Sequence, residues 1–349
     1  MAIRLRQLFI SLAFGALCVG TAQAGPYTNL FVFGDSLSDT GNLSLATGGT
    51  QPPAGQPYFN GRFSDGPVWV EHLAAGLGLP AAPSLAGGNN YAFAGARTGA
   101  TGSPPGVLAQ VAGLWAPTHA VADANALYVV VGGGNDMRDA RSLFTGNTAA
   151  DQAGRQAAAQ AAVNNLFASL SILSAHGAQH VMLANLPDLG LTPEAALLGV
   201  QFASADVSAR FSALMLGLEV LAEATLGLDI DLLDLAGIAG NVRNDALNNG
   251  GAVYGITNVS APCTGFTFSA ALGGTACSVS AFSDVLHPSA RMHAIFGAAA
   301  LSLAVPEPAS AWLVLLAVAG LALQRRRSRT QTSASARAPT SASSSACVL

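Results

Sequence analysis

Short apolar runs, each followed by small or polar residues and then by a helical pattern, recur along this 349-residue chain. They lie at Leu30–Phe33, Ala126–Val131, His180–Leu186 and Leu228–Leu235. The run Ala126–Val131 is fully apolar, which is typical of a strand in a sheet covered on both faces. The last run alternates Asp with Leu and Ile, so we expect a half-exposed edge strand. Strands that alternate with helices predict an α/β fold with a parallel sheet between two helical layers.

Three further segments are assigned from local pattern. Ser64 or Asp65, just before Pro67, is a suitable helix start because proline is tolerated in the first turn. Asn89–Ala96 resembles a short strand that ends in small residues. Residues 241–282 show a loop-like pattern, and with residues 43–59 we expect them to lie on the substrate side of the sheet.

The turn Gly34-Asp35-Ser36 follows the first apolar run and precedes helix-capable residues. A serine here lies at the carboxyl end of a strand, among the free backbone N–H groups of a first helical turn, where an oxyanion can be held. We therefore hypothesise that Ser36 is a nucleophile. The alternative is that Gly34 and Ser36 only form the turn and cap the helix.

Two other turns follow the same pattern. Gly95 ends a run of small residues, and its backbone can approach another group closely. Asn135 follows three glycines at the end of an apolar strand, so its amide can point into a cleft. A plain turn glycine and an Asx turn are the respective alternatives. Ligands of parallel sheets bind outside the carboxyl ends of the strands, where all three turns would lie.

Acyl transfer needs a nucleophile, a base, a group that orients the base, and donors for the oxyanion. Of the six histidines, only His287 has an acidic residue, Asp284, three positions earlier. His287 can accept the proton of Ser36, while Asp284 holds the imidazole tautomer. The backbone N–H groups of Ser36 and Gly95 and the side chain of Asn135 can serve as oxyanion donors. The alternative for Asp284 and His287 is a helix cap.

Four blocks along the chain, G-D-S-L-S, Y-A-F-A-G-A, G-G-N-D and D-V-L-H-P, are similar in content and order to those of the GDSL, or SGNH, hydrolases. The strings G-R-F-S-D-G-P-V-W-V-E and N-L-P-D-L-G-L-T-P resemble those of secreted bacterial esterases in that family. The resemblance covers residues 25–303. Gly132-Gly133-Gly134 carries one glycine more than the usual block.

This resemblance implies a three-layer α/β/α sandwich with a parallel, flavodoxin-like central sheet. It implies that Ser36, Gly95, Asn135 and His287 are the four residues for which the SGNH family is named. It also implies that Asp284 is the third member of the catalytic triad. The implied mechanism is a serine acyl-enzyme that uses no metal or other cofactor.

Charge and cysteine content further restrict which partners the protein can bind and in which compartment it folds. Residues 25–304 contain eight arginines, no lysine and 18 acidic residues, a balance unsuited to nucleic acid or anionic membrane surfaces. Cys263 and Cys277 would close a loop of about fifteen residues, which in an exported protein indicates a disulfide. A zinc site is the alternative, although no C-x-x-C or H-E-x-x-H motif completes one.

Both ends of the chain carry targeting patterns. Residues 1–24 have a basic start, an apolar run and an A-Q-A cleavage site, which predict a signal peptide. Residues 305–327 contain V-P-E-P, a short apolar helix and three arginines, an order that resembles the PEP-CTERM sorting signal. That resemblance implies processing by an exosortase, with an ordinary membrane anchor as the alternative. Residues 328–349 form a Ser/Ala/Thr-rich tail that we expect to be disordered.

These observations predict a secreted or cell-surface protein of a Gram-negative bacterium, with an SGNH hydrolase domain at residues 25–304. The leading hypothesis is an esterase or lipase that cleaves carboxylic esters and touches the membrane only through its C-terminal segment. A carbohydrate O-acyl esterase or acyltransferase acting on exopolysaccharide is one alternative. A surface or matrix protein that retains the fold without catalysis is the other.

Overall fold

A computed structural model describes residues 26–305. The predicted signal peptide, the tail and all but the first residue of the predicted sorting signal lie outside these residues. Within residues 26–305, every helix is too short or too polar to cross a membrane.

Two parallel sheets form the strand framework. Four strands pair in sequence order in the central sheet, with Phe33 opposite Val130 and Val130 opposite Leu183. The other two strands form a small second sheet. The strands are β1 (Leu30–Phe33), β2 (Leu127–Val130), β3 (His180–Ala184), β4 (Asp229–Leu233), β5 (Asn258–Pro262) and β6 (Ser280–Phe282). The four predicted strands are thus confirmed, and β4 forms one edge of the central sheet.

The segment at residues 89–96, predicted as a strand, is not a regular strand. Its parallel bridges, from Asn90 to Val32 of β1 and from Asn90 to Pro83, are isolated, while Phe93 N–H donates to Gly34 O at 3.1 Å. The Gly34 N–H donates to Gln110 Oε1 at 2.8 Å and not to this segment, so the ladder with β1 is not continued. Asn90 is fully buried, and its side chain bonds to Ser38 O and to the Ala92 N–H. This irregular segment nevertheless covers the free edge of β1. The resulting order along the sheet is that of a flavodoxin-like fold.

Helices of very different length connect and cover the strands. They are α1 (Asn42–Ala46), α2 (Trp69–Leu77), α3 (Val107–Ala109), α4 (Gly134–Leu143), α5 (Ala149–His176), α6 (Pro193–Leu198), α7 (Gln201–Leu226), α8 (Leu235–Asn249), α9 (Ser269–Leu272) and α10 (Ala290–Ala304). A π-helical segment, Gln110–Trp115, directly continues α3.

The central sheet separates two apolar cores because neighbouring side chains of a strand point to opposite faces. Phe31 and Phe33 pack on the face covered by α5 and α7. Leu30 and Val32 pack on the opposite face, covered by α2, α8 and α10. Residues 26–305 therefore form an α/β/α sandwich, as predicted.

Two local predictions are wrong. The helix expected to start at Ser64 or Asp65 begins later, at Trp69, because Glu71 accepts from the Val68 N–H and caps that end. Asp65 instead accepts from Ala290 N–H at 2.8 Å, at the start of α10. Residues 241–282 are not one loop, since they include the second half of α8, β5, α9 and β6.

Candidate active site

Ser36 lies in the turn directly after β1, with 9% of its surface exposed. The turn is tight because a Cβ on Gly34 would lie 2.8 Å from Val131 O, so only glycine fits between the ends of β1 and β2. Gln110 fixes it further, accepting from Gly34 N–H and donating to Gly34 O, both at 2.8 Å. The sheet therefore presents Ser36 at its carboxyl edge.

His287 and Asp284 meet Ser36 although 251 positions separate the serine from the histidine. His287 Nε2 lies 2.9 Å from Ser36 Oγ, and His287 Nδ1 lies 2.7 Å from Asp284 Oδ2. Because a carboxylate can only accept, Nδ1 carries the proton and Nε2 is left to accept from the serine hydroxyl. This is the arrangement that a general base needs in order to activate a hydroxyl nucleophile.

Asp284 is held in its charged form by several donors. Its Oδ1 accepts from the N–H groups of Leu286 and His287, at 2.8 and 2.6 Å, and Tyr58 donates its hydroxyl to Oδ2 at 2.7 Å. Burial raises the pKa of Asp284, but the charge of His287 and these hydrogen bonds outweigh it and lower the pKa to about 2. The carboxylate thus orients the imidazole and stabilises an imidazolium.

Two backbone N–H groups near Ser36 are free to bind an anion. Within residues 26–305, neither the N–H of Ser36 nor that of Gly95 donates a hydrogen bond. Gly95 has φ +83°, a conformation that glycine adopts without strain. Asn135, the second residue of α4, donates one of its two amide hydrogens to Ala96 O at 2.9 Å. The three residues predicted to bind the oxyanion, Ser36, Gly95 and Asn135, line one small cavity of about 160 Å³. His287 lines the same cavity.

A larger cavity of about 280 Å³ also opens onto Ser36 and His287. Helix α8 forms one wall with Ala236, Ala239 and Gly240, small residues that leave the space open. Most other lining side chains are apolar and come from several elements: Leu37, Leu186, Leu189, Val259, Phe282, Met292 and Phe296. Both segments expected on the substrate side contribute to these walls, through Leu43 in the smaller cavity and through Val259 and Phe282 in this one.

Sequence reasoning missed several residues that hold this site. Asp39 is fully buried and accepts four backbone N–H bonds, including that of Ala94 at 2.8 Å, so it ties α1 to the Gly95 turn. Its only sequence signal is its place three residues after Ser36. No local sequence pattern indicates a role for Tyr58 or Gln110, because the residues they bond to are distant in the chain.

Cys263 and Cys277 form the predicted disulfide. Asp65 lies close to both sulfur atoms. Because the sulfurs are bonded to each other, they are not thiolates available to zinc.

The family model of the GDSL-like lipases and acylhydrolases matches residues 30–300. A phosphatidylcholine-sterol acyltransferase of Aeromonas hydrophila is 30% identical over 221 residues, which are 58% of this chain and 58% of that protein. Lipase 1 of Photorhabdus luminescens is 32% identical over 191 residues, 52% of this chain and 25% of that protein. The chain thus spans little more than half of the first relative and a quarter of the second.

Among solved structures, the chain is similar to an extracellular lipase from Streptomyces rimosus, with a TM-score of 0.44 and 16% sequence identity. The match covers 79% of this chain and 99% of that chain. Because the family model covers most of the chain and includes Ser36, Gly95, Asn135, Asp284 and His287, this protein belongs to the GDSL-like lipase/acylhydrolase family.

Proposed function

We propose that this protein is a serine ester hydrolase in which Ser36 attacks the ester carbonyl. His287 accepts the serine proton at Nε2 and returns it to the leaving alcohol, and Asp284 stabilises the imidazolium between these steps. The acyl-enzyme is then hydrolysed by water, which His287 activates in the same way. The observation that carries this proposal is the continuous hydrogen-bonded chain Ser36–His287–Asp284, with contacts of 2.9 and 2.7 Å.

The oxyanion of the tetrahedral intermediate would accept from Ser36 N–H, Gly95 N–H and the Asn135 amide. Such donors contribute most when they are preorganised and do not move during the reaction. The two backbone groups meet this condition because they have no competing acceptor within residues 26–305.

The acyl group would lie in the larger cavity. Its volume is about 280 Å³, and its wall is largely apolar. These features favour an extended aliphatic acyl chain over acetate. The acidic, lysine-free composition of residues 26–305 is consistent with an uncharged ester more than with an anionic polymer.

We further propose that the protein is exported and sorted to the cell surface, as its terminal sequence patterns suggest. Deletion of residues 306–349 should release the protein into the medium. Unchanged localisation of the truncated chain would contradict the sorting proposal without affecting the proposed chemistry.

The purified chain should hydrolyse p-nitrophenyl butyrate and octanoate. Ser36→Ala should lose about 10⁴-fold or more in kcat, by analogy with other serine hydrolases. Ser171→Ala, near the C-terminal end of α5 and not part of the lining of either cavity, is the matched control and should retain full activity. If wild type and Ser36→Ala were equally inactive on every ester, the non-catalytic alternative would be favoured.

Acyl transfer to another alcohol is the second candidate, because one relative is named a phosphatidylcholine-sterol acyltransferase. Added alcohol acceptors would then yield a new ester at the expense of free acid. Acetate release from acetylated exopolysaccharide, without cleavage of longer acyl esters, would favour the carbohydrate alternative.

A further inference from the structure

An arginine outside the proposed triad contacts the Asn135 amide. Arg138, three residues later on α4, donates from Nη1 to Asn135 Oδ1 at 3.3 Å, while Asn135 Nδ2 donates to Ala96 O. The amide therefore cannot flip without losing both bonds. Its second N–H has no acceptor within residues 26–305. Ser36, Asn135, Arg138 and His287 line both cavities, so Asn135 lies beside the proposed reaction centre.

Glu194 fixes the position of the arginine. It accepts from Arg138 Nε at 3.1 Å and from Arg138 Nη2 at 2.5 Å, a two-pronged contact, and also from the almost fully buried Arg141. Burial raises the pKa of Glu194, but the hydrogen bonds and charges of the two arginines outweigh it and keep this pKa lowered. These contacts fix the position of the Arg138 guanidinium, while one carboxylate paired with two arginines leaves the cluster with a net positive charge.

The same glutamate also contacts the loop that carries the base. Glu194 N–H donates to Val285 O at 2.7 Å, and Val285 lies between Asp284 and His287. One residue therefore connects the proposed oxyanion donor on α4 with the Asp284–His287 loop.

We propose that Arg138, held by Glu194, is a positioning residue that orients the Asn135 amide and strengthens its free N–H as an oxyanion donor. This inference rests on the proposed ester hydrolysis. Donation to the amide oxygen withdraws electron density from the amide nitrogen, so hydrogen bonds made by its N–H become stronger. The gain would appear mainly in kcat, because the oxyanion exists only after attack.

A double-mutant cycle tests this proposal in the full-length protein. Arg138→Met should lower kcat for p-nitrophenyl butyrate by about tenfold, part of the 10²–10³-fold effect of a whole oxyanion donor, with KM changed by less than about twofold. In the Asn135→Ala background, the same substitution should lower kcat by less than about twofold. Arg210→Met, which removes another arginine from an ion pair on α7, is the control and should leave kcat unchanged.

Arg138→Lys is a second variant, needed in case Arg138→Met does not fold. It keeps a positive charge near Glu194. A lysine cannot bond to both Glu194 oxygens and Asn135 in one geometry, so Tm should return towards wild type while kcat stays low. Equal losses in both Asn135 backgrounds, an effect on KM alone, or an unchanged kcat would overturn the proposal. An inactive wild type would instead refute the proposed function itself, so the two failures are distinguishable.

Discussion

Asp35, next to the proposed nucleophile, should make the protein less stable as the pH rises. It is 3% exposed, and its Oδ1 accepts from Leu37 N–H at 3.0 Å. Burial raises its pKa from 3.8 to about 6, against the lowering effects of the Leu37 bond and the charge of His287. Because the folded state holds this proton more tightly than the unfolded state, the stabilisation is complete below pH 3.8 and is lost as pH rises through about 6.

The substitution Asp35→Asn removes this ionisation and keeps an oxygen for Leu37 N–H. At about 1.4 kcal/mol per pKa unit, the difference between 3.8 and about 6 corresponds to about 3 kcal/mol. We therefore expect the free energy of unfolding of the variant, relative to wild type, to increase by about 2–3 kcal/mol between pH 4 and 7.5. A constant penalty for the new amide would not alter this pH-dependent difference.

Urea unfolding at several pH values between 4 and 7.5 measures the difference. Asp123→Asn is the control: hydrogen bonds, first from Thr28, lower the pKa of Asp123 below 3.8, so that variant should keep a constant offset from wild type across this range. If the Asp35→Asn and wild-type curves were also parallel, burial would not raise the pKa of Asp35 and the reasoning would be refuted.

Three further predictions concern the site and its support. Tyr58→Phe removes the hydroxyl bond to Asp284, and should lower the free energy of unfolding at pH 7 by about 1.5–3 kcal/mol in thermal denaturation. Ala239→Leu extends into the larger cavity, and should reduce octanoate hydrolysis relative to acetate by about tenfold or more in kcat/KM. Replacing Cys263 and Cys277 together by alanine should cost about 3 kcal/mol in urea unfolding.

Each of these predictions has a result that would contradict it. An unchanged Tm for Tyr58→Phe would mean that water replaces the hydroxyl at no cost. Equal losses for acetate and octanoate with Ala239→Leu would place the acyl chain elsewhere. Identical urea midpoints for the wild type and the double alanine variant would show that the disulfide does not stabilise the fold.

The strand predictions succeeded where composition alone decides the outcome. Leu30–Phe33 and Ala126–Val131 are continuous apolar runs, and burial on both faces of a parallel sheet is the arrangement that suits them. The segment at residues 89–96 has weaker apolar character, and its bridges, to Val32 and to Pro83, are isolated ones at Asn90. There, the Gly34 N–H, which would continue the ladder, donates to the side chain of Gln110 instead.

Helix α8 was missed because its sequence is rich in glycine and asparagine, which local propensity assigns to loops. The structure shows that Leu235 and Val242 on this helix are buried against the sheet. Tertiary packing outweighs the weak local preference, since burial of one such side chain contributes about 1.5–3 kcal/mol.

The sequence by itself determined the layered architecture, the disulfide pair and the residue types needed for acyl transfer, because apolar periodicity, cysteine content and short motifs are local properties. Only the tertiary structure decided which distant groups meet. Tyr58 on Asp284, Gln110 on Gly34 and Glu194 beside Val285 are contacts between segments far apart in the chain. Such partners depend on how the helices and loops pack at the carboxyl edge of the sheet, and no local pattern encodes that packing.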